Sequence, residues 1–272
     1  MNKIAYSMLV GCMLSFGGCV TENRPDKNKE VEQRLPVTDT ASYRIVHFKD
    51  FSPYFSGTDT QLDSTTFSAR YPVFADDIDS LVKKAIFIDG EDNIEQVADS
   101  FLGGFNEYAE EQIERGDQTF HTWYKHQDCR VVLNIPGFLT LRHAINDYTG
   151  GAHGMELELW YNFDLHDRKQ LALTDVVQDT SKLRALAETY FRKQESLDDT
   201  TSYGGAYFFE DNTFALAENF GMTAEGLLFH YNPYEIKSYA EGATTLLIPY
   251  SELKDILTDK GKAIQLHIST KN

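Results

Sequence analysis

Between residues 155 and 165 the chain reads MELELWYNFDL, with an apolar side chain at every second position. Met155, Leu157, Leu159, Tyr161, Phe163 and Leu165 alternate with Glu156, Glu158, Trp160, Asn162 and Asp164. That period of two suits an extended strand with one buried face and would scatter apolar groups around a helix. Two preceding segments, TFHTWYKHQDCRVVLNI and FLTLRHAINDY, also have strand composition and flank Pro136-Gly137, a turn pair. Three consecutive strands with short connections imply an antiparallel meander with a core face and a wet face.

Upstream, YRIVHF begins one strand, and FSARYPVF places Phe67, Ala69, Tyr71 and Val73 on one face of another. The period then lengthens: Ile78, Leu81, Val82, Ala85 and Ile86 follow amphipathic-helix spacing up to a stop at Gly90. Asn93 with Gln96 makes a capping-box pattern before the stripe Ile94, Val97, Ala98, Phe101, Leu102, Phe105, Tyr108 and Ala109. Further on, Leu183, Leu186, Ala187 and Tyr190 predict a helix over 181–194. Short strands are expected at FALAENF, GLLFHYN, ATTLLIPY and AIQLHI, with a small helix capped by Ser251 ahead of Leu253, Ile256 and Leu257. The expected class is α+β, an antiparallel β-sheet meander with helices packed on it, in two sequential subdomains, 42–168 and 169–272.

Met1-Asn2-Lys3 followed by IAYSMLVGCMLSFGG is a basic start and an apolar run too short for a membrane span, so residues 1–18 read as a signal peptide. Gly17-Gly18 supply the small residues a lipoprotein signal peptidase requires before Cys19, the expected lipidation site. Cys12 follows Leu9-Val10-Gly11 but would leave an apolar core of only seven residues. Residues 19–41 are polar, charged and interrupted by Pro25 and Pro36, the composition of a flexible tether. The expected location is the bacterial cell envelope, as a membrane-anchored lipoprotein facing the periplasm or the exterior. Cys129 shares its parity with Val131, Leu133 and Ile135 and reads as a buried thiol, not a nucleophile. A net charge of -17, from 42 acidic and 25 basic residues, disfavours a nucleic-acid partner and would attract a basic protein.

The segment NDYTGGAHG, residues 146–154, stands between two strands. Gly150 and Gly151 supply positive φ, so the segment reads first as a turn, while Tyr148 and His153 make it a candidate contact loop. HxH, HExxH and CxxC spacings are absent. A zinc site from His143, His153 and His166 stays open, yet His143 is in phase with Leu139, Leu141 and Ile145 and reads as a hydrogen-bonded core histidine; no metal or cofactor is expected. Glu156 and Glu158 read as a solvated strand face in preference to a glycosidase pair, and there is no GxSxG elbow. In the stretch around 232–242, Asn232-Pro233 should end a strand and display Tyr234, Ile236 and Tyr239, with Glu235 and Glu241 beside them. Tyr234 and Tyr239 are either anchors for a protein partner or packing at the end of the sheet.

Three motifs, YTGGAHG at 148–154, YNFDLHDRKQLALTDVV at 161–177 and FHYNPYEIKSYAEGATTLLIPYSELKDIL at 229–257, carry a family likeness. Together they resemble the extracytoplasmic domain family of unknown function shared by the lysozyme-binding anti-sigma factor RsiV and the N-terminal region of the peptidoglycan deacetylase PdaC. The resemblance spans about residues 43–268, with 42–168 similar to the PdaC N-terminal part and 169–272 to the RsiV-type C-terminal part. It implies an α+β fold, a cell-envelope location and, in one branch, recognition of lysozyme. The expected departures from those proteins are the lack of a transmembrane helix, of a cytoplasmic sigma-binding segment and of a deacetylase domain with its Asp and paired His metal site. The expectation is a non-enzymatic binding or sensory module for a lysozyme-like basic protein or a cell-wall glycan such as peptidoglycan. The expected contacts are Tyr148, Gly150, Gly151, His153, Asn232, Pro233, Tyr234, Glu235 and Tyr239. The alternative is a peptidoglycan-active hydrolase or deacetylase that uses His153 with Asp147 or Glu156 and a metal.

Overall fold

The computed structural model describes residues 30–32, 40–58, 61–117 and 119–271. The expected signal peptide, Cys12, Cys19 and most of the tether lie outside the described residues. Seven strands form the main sheet in chain order: β1 (Glu30–Glu32), β2 (Tyr43–Thr58), β3 (Gln61–Phe74), β4 (Tyr124–Ile135), β5 (Phe138–Tyr148), β6 (Met155–Asp164) and β7 (Lys169–Gln170). Neighbours are antiparallel except β3 and β4. The expected antiparallel meander is β4, β5 and β6; the parallel pair precedes it, where α1 (Asp76–Ile86) and α2 (Ile94–Glu114) intervene and return the chain to the same end of the sheet. The α2 cap forms largely as expected: Asn93 accepts from the Gln96 amide at 2.9 Å, but Gln96 accepts in return from Asp92, one residue earlier.

Both helices cover one sheet face. Val82, Ile86, Ile94, Val97, Ala98 and Leu102 pack there on Phe48, Phe67, Ala69, Tyr71, Cys129, Leu141 and Phe163. β2 and β3 run well beyond the short strands expected, since the polar stretch between Phe48 and Phe67 lacks a clear alternation. Pro53 falls within a register shift between Phe51 and Phe55, a place where its missing N–H spares the ladder. A second shift, between Val131 and Leu133, has a larger effect. It breaks the parity read from the sequence, so Cys129 joins the helix-side core while Leu133 and Ile135 face the other way.

The C-terminal half adds α3 (Leu173–Val176), α4 (Thr180–Gln194), a three-stranded antiparallel sheet of β8 (Phe220–Met222), β9 (Gly226–Tyr231) and β10 (Thr244–Pro249), then α5 (Tyr250–Leu253) and α6 (Asp259–Lys271). Its core includes Leu183, Phe191, Phe214, Met222, Phe229, Ile248 and Leu257, and takes in Leu133, Ile135 and Phe138 from the main sheet. The face of β6 expected to be wet is thereby partly covered, with Asn162 and Asp164 buried.

Three local expectations fail. FALAENF is irregular up to Phe220, with Phe214, Ala217 and Phe220 turned inward at a spacing of three. AIQLHI lies in helix α6, where Ile264 and Ile268 are buried but Leu266 is 65% exposed, a helical period. Ser251 sits inside α5, whose N-cap is Pro249 without a side-chain bond.

Candidate functional site

The two loops singled out from sequence meet. The connection from β5 to β6 turns through Gly150 and Gly151, whose φ values are +91° and +107°. A Cβ on Gly154 would lie 2.6 Å from the Asp147 carbonyl oxygen, so the return into β6 needs glycine there. Tyr148 donates its hydroxyl to the Gly151 carbonyl at 3.1 Å. Held in this way, His153 stacks on Tyr239 with centroids 3.8 Å apart and planes 14° apart, while His153 Nε2 lies 3.2 Å from the Tyr234 hydroxyl. Its Nδ1 lies 2.8 Å from the Gly154 carbonyl, so both ring nitrogens have a partner.

The opposing loop is braced from within. Asn232-Pro233 ends β9, as expected, and Tyr234 takes a left-handed φ of +71°. Glu235 accepts from the Asn232 amide at 2.8 Å, and Glu241 accepts from the Ser238 hydroxyl at 2.8 Å. Tyr234 is 51% exposed, which removes the packing reading for it; Tyr239 is only part-exposed, beneath His153. Ile236, expected on display, is buried at 4% exposure.

Beneath the loops lies a polar seam that sequence reasoning did not identify. Most of β6 has no strand beyond it, and asparagine side chains meet its free edge. Asn232 accepts from the Glu158 N–H at 2.7 Å and donates to its carbonyl at 3.2 Å; Asn219 accepts from the Trp160 N–H at 2.9 Å and donates to the Glu158 carbonyl at 2.7 Å. Each amide replaces part of a missing neighbour strand. Glu158 is half-buried, not on a solvated face, and receives bonds from Arg142 Nε at 2.7 Å and Trp160 Nε1 at 2.8 Å, with His230 Nδ1 at 3.6 Å. Burial raises the Glu158 pKa, but the Arg142 bond, the His230 interaction and the Trp160 bond outweigh it and hold the carboxylate below its usual range. Burial lowers the His230 pKa against the pull of Glu158. The alternation at Glu158 and Trp160 was visible in sequence, but their partners come from about 60 to 75 residues away along the chain.

Two protein families match the chain in tandem. Residues 58–156 match the family described as deacetylase PdaC, and residues 165–251 match a protein family of unknown function, DUF3298. A crystal structure of a DUF3298 family member from Bacteroides fragilis NCTC 9343 aligns with a TM-score of 0.66 at 21% identity, covering 85% of this chain and 98% of that one. A DUF3298 family protein from Pseudomonas aeruginosa PAO1 aligns with a TM-score of 0.58 at 18% identity, covering 80% and 95%. At these identities the likeness concerns the fold. No curated protein matches the chain.

The loop cluster joins the two matched segments, with His153 in the PdaC match and Tyr234 and Tyr239 in the DUF3298 match. The three histidines weighed as a zinc site are kept apart. His143 points into the PdaC-side core at 2% exposure, whereas His153 and His166 lie beyond opposite ends of β6. The expected hydrogen bond of His143 is not met at Nδ1, which has no partner among the described residues. Cys129 is buried, and desolvation raises its thiol pKa far above the ordinary value, leaving a core thiol.

Proposed function

We propose that this chain is a lipid-anchored binding module of the bacterial cell envelope, without catalysis of its own, and that it engages a basic protein of the lysozyme type through the His153–Tyr234–Tyr239 cluster. The observation that carries this reading is that two distant loops interlock three aromatic rings and leave Tyr234 half exposed. Rigid aromatic side chains offer contact area at low entropic cost. Pro233 and the bonds to Glu235 and Glu241 order the loop before any partner arrives, which reduces the cost of association. The net charge of -17 would speed encounter with a cationic protein.

Calorimetric titration with lysozyme at low and at moderate salt tests the partner. Binding is expected at low salt and should weaken as ions screen it; no heat at either condition removes lysozyme. Tyr234→Ala should cost about 2 kcal/mol or more of that binding, with little change in melting temperature. An unchanged affinity would place the contact elsewhere.

A further inference from the structure

The main sheet has a second feature, on the face away from α1 and α2. Above the region covered by the C-terminal half, β2, β3, β4 and β5 leave a groove of about 620 Å³. Cross-strand register aligns Lys49, Ser68 and His126 in one row, which lines the groove, and Phe51, Tyr124 and Tyr148 in the adjacent row, just outside its lining. The Ser68 hydroxyl and His126 Nδ1 are 2.7 Å apart. The Tyr124 ring stacks with His126 at 5.2 Å and 14°, and with Tyr148 at 5.9 Å and 23°.

Charge narrows the ligand. In a strongly acidic chain, Lys49 lies exposed in this groove with no ion-pair partner among the described residues. Arg70 lies deeper and meets Asp128 at 3.3 Å through one of its nitrogens, leaving further donors. Asp128 is itself shared with Arg130, and the carboxylate at the rim, Glu156, accepts from Asn146 at 3.4 Å. The groove therefore offers net positive charge to an anion.

Shape narrows it further. A sheet face, unlike an edge, presents no free backbone groups, so an extended peptide could not pair with it as an added strand. Recognition must come from side chains, and here they are a rigid row of near-parallel rings beside a row of hydroxyl, imidazole and ammonium groups. That combination suits a pyranose, with its apolar C–H face and hydroxyl rim. We propose that this face binds a short carboxylated oligosaccharide, with a sugar carboxylate in the groove on Lys49 and Arg70 and the sugar rings extending out of it over the adjacent Tyr124 and Tyr148 row. The site borders the loop cluster, because the Tyr148 hydroxyl bonds the Gly151 carbonyl, but it uses none of His153, Tyr234 and Tyr239 and does not depend on lysozyme binding.

Titration of the protein with trigalacturonate, neutral chitotriose and triglutamate tests the assignment. Trigalacturonate should bind best, and Lys49→Gln and Tyr124→Ala should each weaken it by about tenfold at unchanged melting temperature. Should Tyr124→Ala fold poorly, Tyr124→Leu removes the aromatic ring while keeping apolar bulk. Tyr234→Ala should leave trigalacturonate binding intact even where it abolishes lysozyme binding, which separates failure here from failure of the loop surface. Absent trigalacturonate binding, or binding indifferent to both Lys49→Gln and the tyrosine variant, overturns the proposal. Equal binding of triglutamate overturns the sugar assignment, and equal binding of chitotriose overturns the carboxylate contact.

Discussion

His143 is a histidine placed where its charge cannot follow. It is 2% exposed, and burial lowers its pKa to about 4, with Asp128 opposing that shift and Lys125 adding to it. Because the folded value lies below that of the unfolded chain, about 6.5, the unfolded state takes up the proton first on acidification. The stability this provides is complete above about pH 6.5 and should fall by on the order of 3 kcal/mol as pH drops towards 4. Urea midpoints across that range measure it, and His143→Leu should flatten this part of the curve; an equally steep curve in the variant would assign the loss to other groups. The phase of His143 with Leu141 already marked it as a core residue. The stacking of His153 on Tyr239 was not legible, because local sequence carries no information about which distant loop will close over a turn. What could be read was that Gly150-Gly151 and Asn232-Pro233 each interrupt a strand beside exposed aromatic residues.

Strands β4, β5 and β6 and helix α2 were the most legible elements, since each repeats its period over ten or more residues. Helix α6 was misread because Ile264, Leu266 and Ile268 fit a period of two as well as three of a helix's positions do, and only burial distinguishes the two. Its Gly261 lies so close to the Val176 carbonyl that a Cβ would collide with it, a packing demand invisible in sequence. The polar face of β6 was read correctly in pattern but not in environment. Asn162 is buried at 1% exposure, donates to the Phe220 carbonyl at 2.8 Å, and accepts from the Met222 N–H at 2.9 Å and the Thr140 hydroxyl at 3.1 Å. This one amide fastens β8 to the main sheet. Asn162→Leu, similar in size, should cost about 2–3 kcal/mol, because the groups it satisfies would stay buried without partners. Chemical denaturation measures the loss, and a change under about 0.5 kcal/mol would mean that β8 is held by apolar contacts alone.

At the scale of the molecule, no helix among the described residues is long and apolar enough to cross a membrane. The attachment proposed above is through Cys19, where lipid chains would contribute about 0.8 kcal/mol for each buried CH₂. Cys19→Ser should move the protein from the membrane fraction to the soluble one. If Cys12→Ser does so instead, the acceptor is Cys12. The register shift beside Val132 bears on how such a chain could be inherited. By turning Leu133 and Ile135 towards the C-terminal core while Cys129 stays with the helices, it makes one strand serve both halves. A recombination event that carried residues 165–251 into another gene would leave those side chains and Phe138 behind, and the transplanted half would arrive with part of its core missing. Descent should therefore keep the two segments together and in this order, because neither half can be moved without taking the strand they share.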